Sequence, residues 1–155
     1  MAVKPIPEGY HTATPYLILQ GAADAIAFYQ SAFGATELMR LADPRGKVGH
    51  AEIRIGDSTI MLADESPDMG FCGPLALGGS PVGIMLYVED VDATTERASA
   101  AGAKVIRPAK DQFYGDRTSM IEDPFGHVWY LATHIEDVSP QEIQNRSEAM
   151  RKDQG

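Results

Sequence analysis

One cysteine, Cys72, stands alone among 155 residues, so the chain has no internal disulfide, and a lone thiol cannot build a structural zinc site. It lies in MGFCGPLALGGSP without a neighbouring base to activate it and reads as a bystander. Long hydrophobic runs are also missing. Nothing approaches the roughly 18 apolar residues of a membrane span, and the start MAVKPIPEGYHT lacks the apolar stretch of a signal peptide. The expectation is a cytoplasmic protein with no membrane partner. Positive charge is scarce: 13 Lys and Arg against 22 Asp and Glu give a formal net charge of −9. Binding a phosphate backbone requires clustered Lys and Arg, so nucleic acid is not an expected partner, and any charge-steered partner is cationic or neutral.

What is present is a repeat. A hydrophobic content of 44% suits a packed domain. TPYLILQGAADAIAFYQSAFGATELM reads as an extended run, a helix and a strand entered through Gly34. GIMLYVEDVDATTERASAAGAKVI reads the same way, entering its strand through Gly102. In the first helix, Ala22 to Phe33, the residues Ala25, Ile26, Phe28, Tyr29 and Phe33 form one stripe at spacings of three and four. In the second, Asp90 or Asp92 is the N-cap, Val91, Ala98 and Ala101 give a weaker stripe, and Gly102 is the left-handed terminator. Strand patterns follow at Thr36 to Leu41, His50 to Ile55 and Ser58 to Ala63, then at Lys104 to Arg107, Arg117 to Glu122 and His127 to Thr133. IGDST and DPFGH are the turns joining the last two strands of each copy.

The fold class is therefore α+β, two βαβββ modules that must pair to bury a sheet face or enclose a cavity. The expected bounds are module 1 at about 10–66, a loop at 67–80, module 2 at about 81–134 and a short C-terminal helix at about 139–152, all within a single domain. Ser139, Pro140 and Glu142 supply an N-cap, a first-turn proline and a capping box for that helix, with Val138 and Ile143 at hydrophobic-staple spacing.

The segments PYLIL, AIAFYQSAFGA, HAEIRIGDSTIMLAD, YGDR and DPFGHVWYLATH, in that order, resemble the vicinal oxygen chelate superfamily, the glyoxalase/bleomycin resistance/dioxygenase proteins, and within it the PhnB-like branch. The resemblance spans Thr14 to His134. It implies paired modules forming one cupped mixed sheet, homodimers, and a ligand or metal inside the cup. The metal-ligand positions it implies are Thr14, Met61, Gly83 and Tyr130, a set with none of the usual His and Glu donors; the expectation is no metal and no cofactor.

His127 follows a turn glycine on the same alternation face as Trp129 and Leu131, and reads as a residue that finishes a turn. His50, Glu52 and Arg54 alternate with Ala51, Ile53 and Ile55, so if the apolar face packs on the first helix, the polar face looks into the cup. His50 and Glu52 are the candidate catalytic pair, a histidine and a carboxylate two residues apart; a plain cross-strand ion pair is the alternative. Tyr16, Met61, Met85, Tyr87 and Tyr130 share the expected cup and give it a semi-apolar lining suited to a flat or amphipathic organic molecule. Tyr114 and Arg117, in FYGDR, add an aromatic and a guanidinium that either clamps a ligand carboxylate or pairs with Asp116 or Glu122.

The leading reading is a metal-free binder of a small organic ligand in the manner of bleomycin resistance proteins, held as a homodimer, with the acidic charge favouring a cationic ligand. The alternative is a metal-dependent lyase, isomerase or dioxygenase with ligands relocated among His11, His50, Glu52, Asp64 and His127, which must converge on one ion. A methyltransferase reading, carried by the name of some related domains, lacks its nucleotide loop, since GPLALGGSP leads into a strand pattern.

Overall fold

The computed structural model describes residues 2–155. Module 1 consists of β1 (Tyr16–Leu19), α1 (Ala22–Phe33), β2 (Thr36–Ala42), β3 (Val48–Ile55) and β4 (Ser58–Asp64). A 3-10 turn at Pro67–Met69 and the one-turn helix α2 (Pro74–Leu77) occupy the segment expected to be plain loop. Module 2 comprises β5 (Gly83–Tyr87), α3 (Val91–Ala100), β6 (Lys104–Asp111), β7 (Asp116–Glu122) and β8 (Val128–His134), and the chain closes with α4 (Pro140–Asp153). Among the described residues no helix is long and apolar enough to cross a membrane.

Each module builds its own four-stranded sheet, in the orders β1-β4-β3-β2 and β5-β8-β7-β6. The two expected βαβββ modules are both present, joined by side chains and not by a shared ladder. One such link is at β1, where the Ile18 carbonyl accepts a hydrogen bond from the His127 ring at 2.9 Å. The modules meet on their helix side, where α1 lies against α3. Tyr29 and Phe33 of α1 reach Trp129 of β8, with ring centroids 5.2 and 4.9 Å away. Leu19, Ile26, Ile53, Ile121, Trp129 and Leu131 belong to one continuous buried core.

α1 begins at Gly21, whose left-handed backbone (φ 88°) carries no capping side chain. Asp64 supplies the cap from β4: its Oδ1 accepts the N–H groups of Gly21 and Ala22 at 2.9 and 2.8 Å, and its Oδ2 accepts that of Val48 at 2.7 Å. In α3 the cap is Asp90, which accepts from the Ala93 N–H at 3.0 Å. The expected stripe on α3 is corrected: Ala101 is exposed, and Thr94 and Thr95 are buried with Val91 and Ala98. Burial of Thr95 is tolerated because its hydroxyl donates to the Val91 carbonyl at 2.6 Å and pairs with Ser119 at 2.7 Å. β6 runs through Pro108 to Asp111, further than the pattern indicated. As an edge strand it loses little to a residue that cannot donate to a ladder, and its register is irregular there.

Candidate functional site

Alternation on β3 has the expected sense: Ala51 and Ile53 are buried in the core. The register pairs Tyr16 with Met61 and Met61 with Glu52, so β1, β4 and β3 present these side chains in one row on the face away from the helices. His50 lies one row along. Its Nε2 is 3.0 Å from Glu52 Oε2, and its Nδ1 is 2.7 Å from the Tyr16 hydroxyl. Four of the sequence candidates therefore share one face, and three of them are hydrogen-bonded in series.

The fourth member of that series, Tyr10, went unseen in the sequence. Its hydroxyl donates to Glu52 Oε1. The segment bearing it lies along β3 and β4, with the Thr59 hydroxyl donating to the Gly9 carbonyl at 3.3 Å. A side chain at Gly9, where φ is 83°, would come within 2.9 Å of Arg54. Glu52 is only 6% exposed, yet both its oxygens receive donors. The Tyr10 bond first, then the His50 bond, hold its carboxyl below the usual range, so it is ionised near neutrality.

Beside this row is a pocket of about 900 Å³, the largest described. Tyr16, Ile18, Leu41, Val48, Ala63 and Phe71 form its walls, while Asp43, Asp64, Glu65 and Lys47 bring charge to it. Asp64 and Glu65 are already engaged: Asp64 as above, Glu65 by the Gly73 N–H at 2.7 Å. They contribute negative potential with few free lone pairs.

The module 2 candidates form a separate group. The expectation that Met85, Tyr87 and Tyr130 share a cup with Tyr16 and Met61 is corrected within one chain: the large pocket is lined by module 1 and its following loop alone. Met85 pairs with Tyr130, and Tyr87 lies one row further on, all on the open face of the second sheet. Tyr130 folds its ring over Gly83, where a Cβ would fall 2.2 Å from a ring carbon, so a side chain at 83 would require that ring to move. Tyr87 donates to Asp116 at 3.0 Å, and that bond raises its hydroxyl pKa. Asp116 also meets His134 Nδ1 at 2.7 Å, while His134 Nε2 is 2.7 Å from Asp137. These two carboxylates raise the imidazole pKa, Asp116 first.

Arg117 is corrected as a ligand clamp. It projects to the helix side, where Asp92 takes it through two bonds at 2.7 and 3.0 Å and Asp111 through one at 2.9 Å, not Asp116 or Glu122. These bonds raise its pKa further and leave the guanidinium committed. Tyr114 packs edge-on to Phe113 near the root of α4, since the Phe113 carbonyl accepts from Arg146 at 3.0 Å. It is remote from the Tyr16 row in the register, on the connection between β6 and β7.

The residues present do not fit a divalent metal. Thr14, Met61, Gly83 and Tyr130 offer no carboxylate or imidazole. The relocated set does not converge either: His11 is placed against the Asp57 carbonyl, His127 against the Ile18 carbonyl, and Asp64 on backbone N–H groups. Among the described residues no group of three or more His, Cys, Asp or Glu could hold an ion. His127 finishes its turn, its N–H bonded to Asp123 at 3.0 Å.

Two paired βαβββ modules with their open sheet faces bare of helices define the class. The chain belongs to the glyoxalase/bleomycin resistance protein/dioxygenase superfamily, whose family model matches residues 11–131. An uncharacterised protein of Mycobacterium tuberculosis is 47% identical over 136 residues, 84% of this chain and 79% of that one. The X-ray structure of an Arabidopsis thaliana gene product, 27% identical, covers 79% of this chain and 98% of its own, with a TM-score of 0.65. The genomically encoded fosfomycin resistance protein FosX of Listeria monocytogenes, 19% identical, shares the fold with a TM-score of 0.62 over 86% of this chain and 97% of that one.

Proposed function

We propose that this protein binds a small organic molecule without a metal or other cofactor, on the open face of module 1, as a cytoplasmic homodimer of the PhnB-like branch. The observation that carries the reading is the pocket of about 900 Å³ beside Tyr16, predominantly apolar in its walls and with a few polar groups among its lining residues. That volume and lining are those of a site for a drug-sized molecule. The net charge of −9 and the rim of Asp43, Asp64 and Glu65 favour a cationic ligand, with Lys47 the one cation among the lining residues. The mismatch of Thr14, Met61, Gly83 and Tyr130 to a metal supports the metal-free part. The order of the sequence motifs from PYLIL to DPFGHVWYLATH supports the branch.

The homodimer is supported by what one chain leaves bare. Met85, Tyr87 and Tyr130 are exposed on the open face of module 2, and Leu41 on the edge strand of module 1. Apolar groups clustered in this way are covered in a stable assembly. Titration with ethidium, a flat aromatic cation, tests the ligand class: saturable binding is expected, weakened by Tyr16→Ala and stronger than that of the anion anilinonaphthalene sulfonate. Added Ni²⁺, Zn²⁺ or Mn²⁺ should leave the melting temperature unchanged, whereas a ligand at 100 times its Kd would add about 2.7 kcal/mol. A saturable rise with any one of them would remove the metal-free reading.

A further inference from the structure

The chain has six tyrosines, and their hydroxyls meet three different environments. Tyr10, Tyr29 and Tyr87 donate to the carboxylates of Glu52, Asp123 and Asp116. Each is held in its neutral form, with a raised pKa, by that bond first at Tyr10 and Tyr87 and by burial first at Tyr29. Tyr114 and Tyr130 take part in none of the side-chain hydrogen bonds described above. Tyr16 alone meets an imidazole.

The direction of that contact follows from its neighbours. Glu52, ionised, can only accept, so the His50 Nε2 facing it carries the proton and donates. In the neutral ring Nδ1 then bears a lone pair, and the Tyr16 hydroxyl donates to it. The three side chains form a graded path. The Glu52 side chain is 8% exposed and that of His50 is 26% exposed, while Tyr16 is 48% exposed on the pocket wall.

We infer that Tyr16, His50 and Glu52 are a metal-free proton-transfer site, with Tyr16 as the catalytic residue facing the pocket. This rests on the reading that the pocket holds a small organic molecule. The substrate class is a molecule with an acidic C–H or O–H beside an apolar body. Tyr16 Oη takes the substrate's proton while its own hydroxyl proton passes to His50 Nδ1, and the substrate keeps the electron pair of the broken bond. The imidazolium formed is held by the Glu52 carboxylate. Returning the proton to a different substrate atom regenerates the neutral chain, so the cycle is an isomerisation or an exchange and needs no co-reactant. Tyr10 is a positioning residue, occupying Oε1 so that Oε2 is left to His50. The logic is that of a nucleophile oriented on a base that is itself held by a carboxylate.

The probe is p-nitrophenyl acetate, with acetylated tyrosines located by peptide mass spectrometry. An activated Tyr16 attacks the acyl carbon and its proton goes to His50 Nδ1. The bond to p-nitrophenolate breaks, and acetyl-Tyr16 remains. Tyr130, exposed to a similar extent at 39% against 48%, is the internal control. Tyr16 should label roughly 100-fold faster than Tyr130, and both His50→Ala and Glu52→Gln should remove that advantage, the scale of a positioned base. If His50→Ala fails to fold, Glu52→Gln carries the test, because it keeps the imidazole and removes only its charge partner. Equal labelling of Tyr16 and Tyr130, or a Tyr16 rate indifferent to both substitutions, overturns the proposal. Ethidium binding separates the two readings: binding without fast labelling leaves the pocket and ends the relay, while fast labelling without binding does the reverse.

Discussion

Ile53 and His50 stand three positions apart on one strand and face opposite ways, so their substitutions should fail differently. Ile53→Ala empties a fully buried site under α1 and should cost about 2–5 kcal/mol in urea denaturation. His50→Ala removes a partly exposed ring and should alter ligand binding by roughly 0.5–3 kcal/mol while leaving most of the stability. The reverse ranking would mean that the pocket face has been misassigned. Asp123 governs another residue-level test. It is buried and accepts four donors: the Tyr29 hydroxyl at 2.6 Å, the Trp129 ring N–H at 2.9 Å, and the N–H groups of Phe125 and His127. Tyr29→Phe deletes a bond to a charged group at constant shape and should cost about 1.5–3 kcal/mol, read from the denaturation midpoint.

At the scale of elements, α4 is attached by polar contacts, since no residue of it is buried. The Gly115 carbonyl accepts the N–H groups of Ile135 and Glu136, and a Cβ at Gly115 would fall 2.2 Å from the Glu136 carbonyl oxygen. Arg146 grips Glu136 and the Phe113 carbonyl. His134 sits at the same root between Asp116 and Asp137. Its folded pKa lies above the ordinary imidazole value of 6.5, so its contribution to stability is complete below that value and is lost as pH rises through the folded one. Hydrogen exchange at Ile135 and Glu136 should therefore quicken as pH rises through that window beyond the intrinsic trend, and the excess should be absent in His134→Ala. Elements of this kind were only partly legible beforehand. α1 was readable to its ends because its stripe and Gly34 are local, and so were the Ser139 cap and the Asp90 or Asp92 choice. β6 beyond Arg107 was hidden by Pro108, which excludes a central strand but not an edge. The Tyr10–Glu52 contact and the Asp92–Arg117 pair span 42 and 25 positions, and no periodicity carries such distances. Face alternation put Tyr16, His50, Glu52 and Met61 together correctly, yet it could not say that Met85 and Tyr130 belong to a second, separate sheet.

For the whole molecule, the proposed homodimer makes a direct prediction: sedimentation at micromolar concentration should give twice the 16.7 kDa chain mass, and a monomer persisting at high concentration would count against it. The bond between Tyr29 of the first module and Asp123 of the second has a further consequence, for how such a sequence can recombine. A repeat begins as two interchangeable copies, but here the helix of one copy has become the partner of the turn in the other, and His127 of the second copy has claimed the Ile18 carbonyl of the first. The halves are no longer modular. A chimera joined within residues 67–80, where the chain passes between modules, should keep its full stability only if the parent of the first half supplies a tyrosine at 29 and the parent of the second half an aspartate at 123; otherwise it strands a buried carboxylate or a buried hydroxyl at the seam. The inheritance of the two halves is tied by a contact far from the segment that connects them.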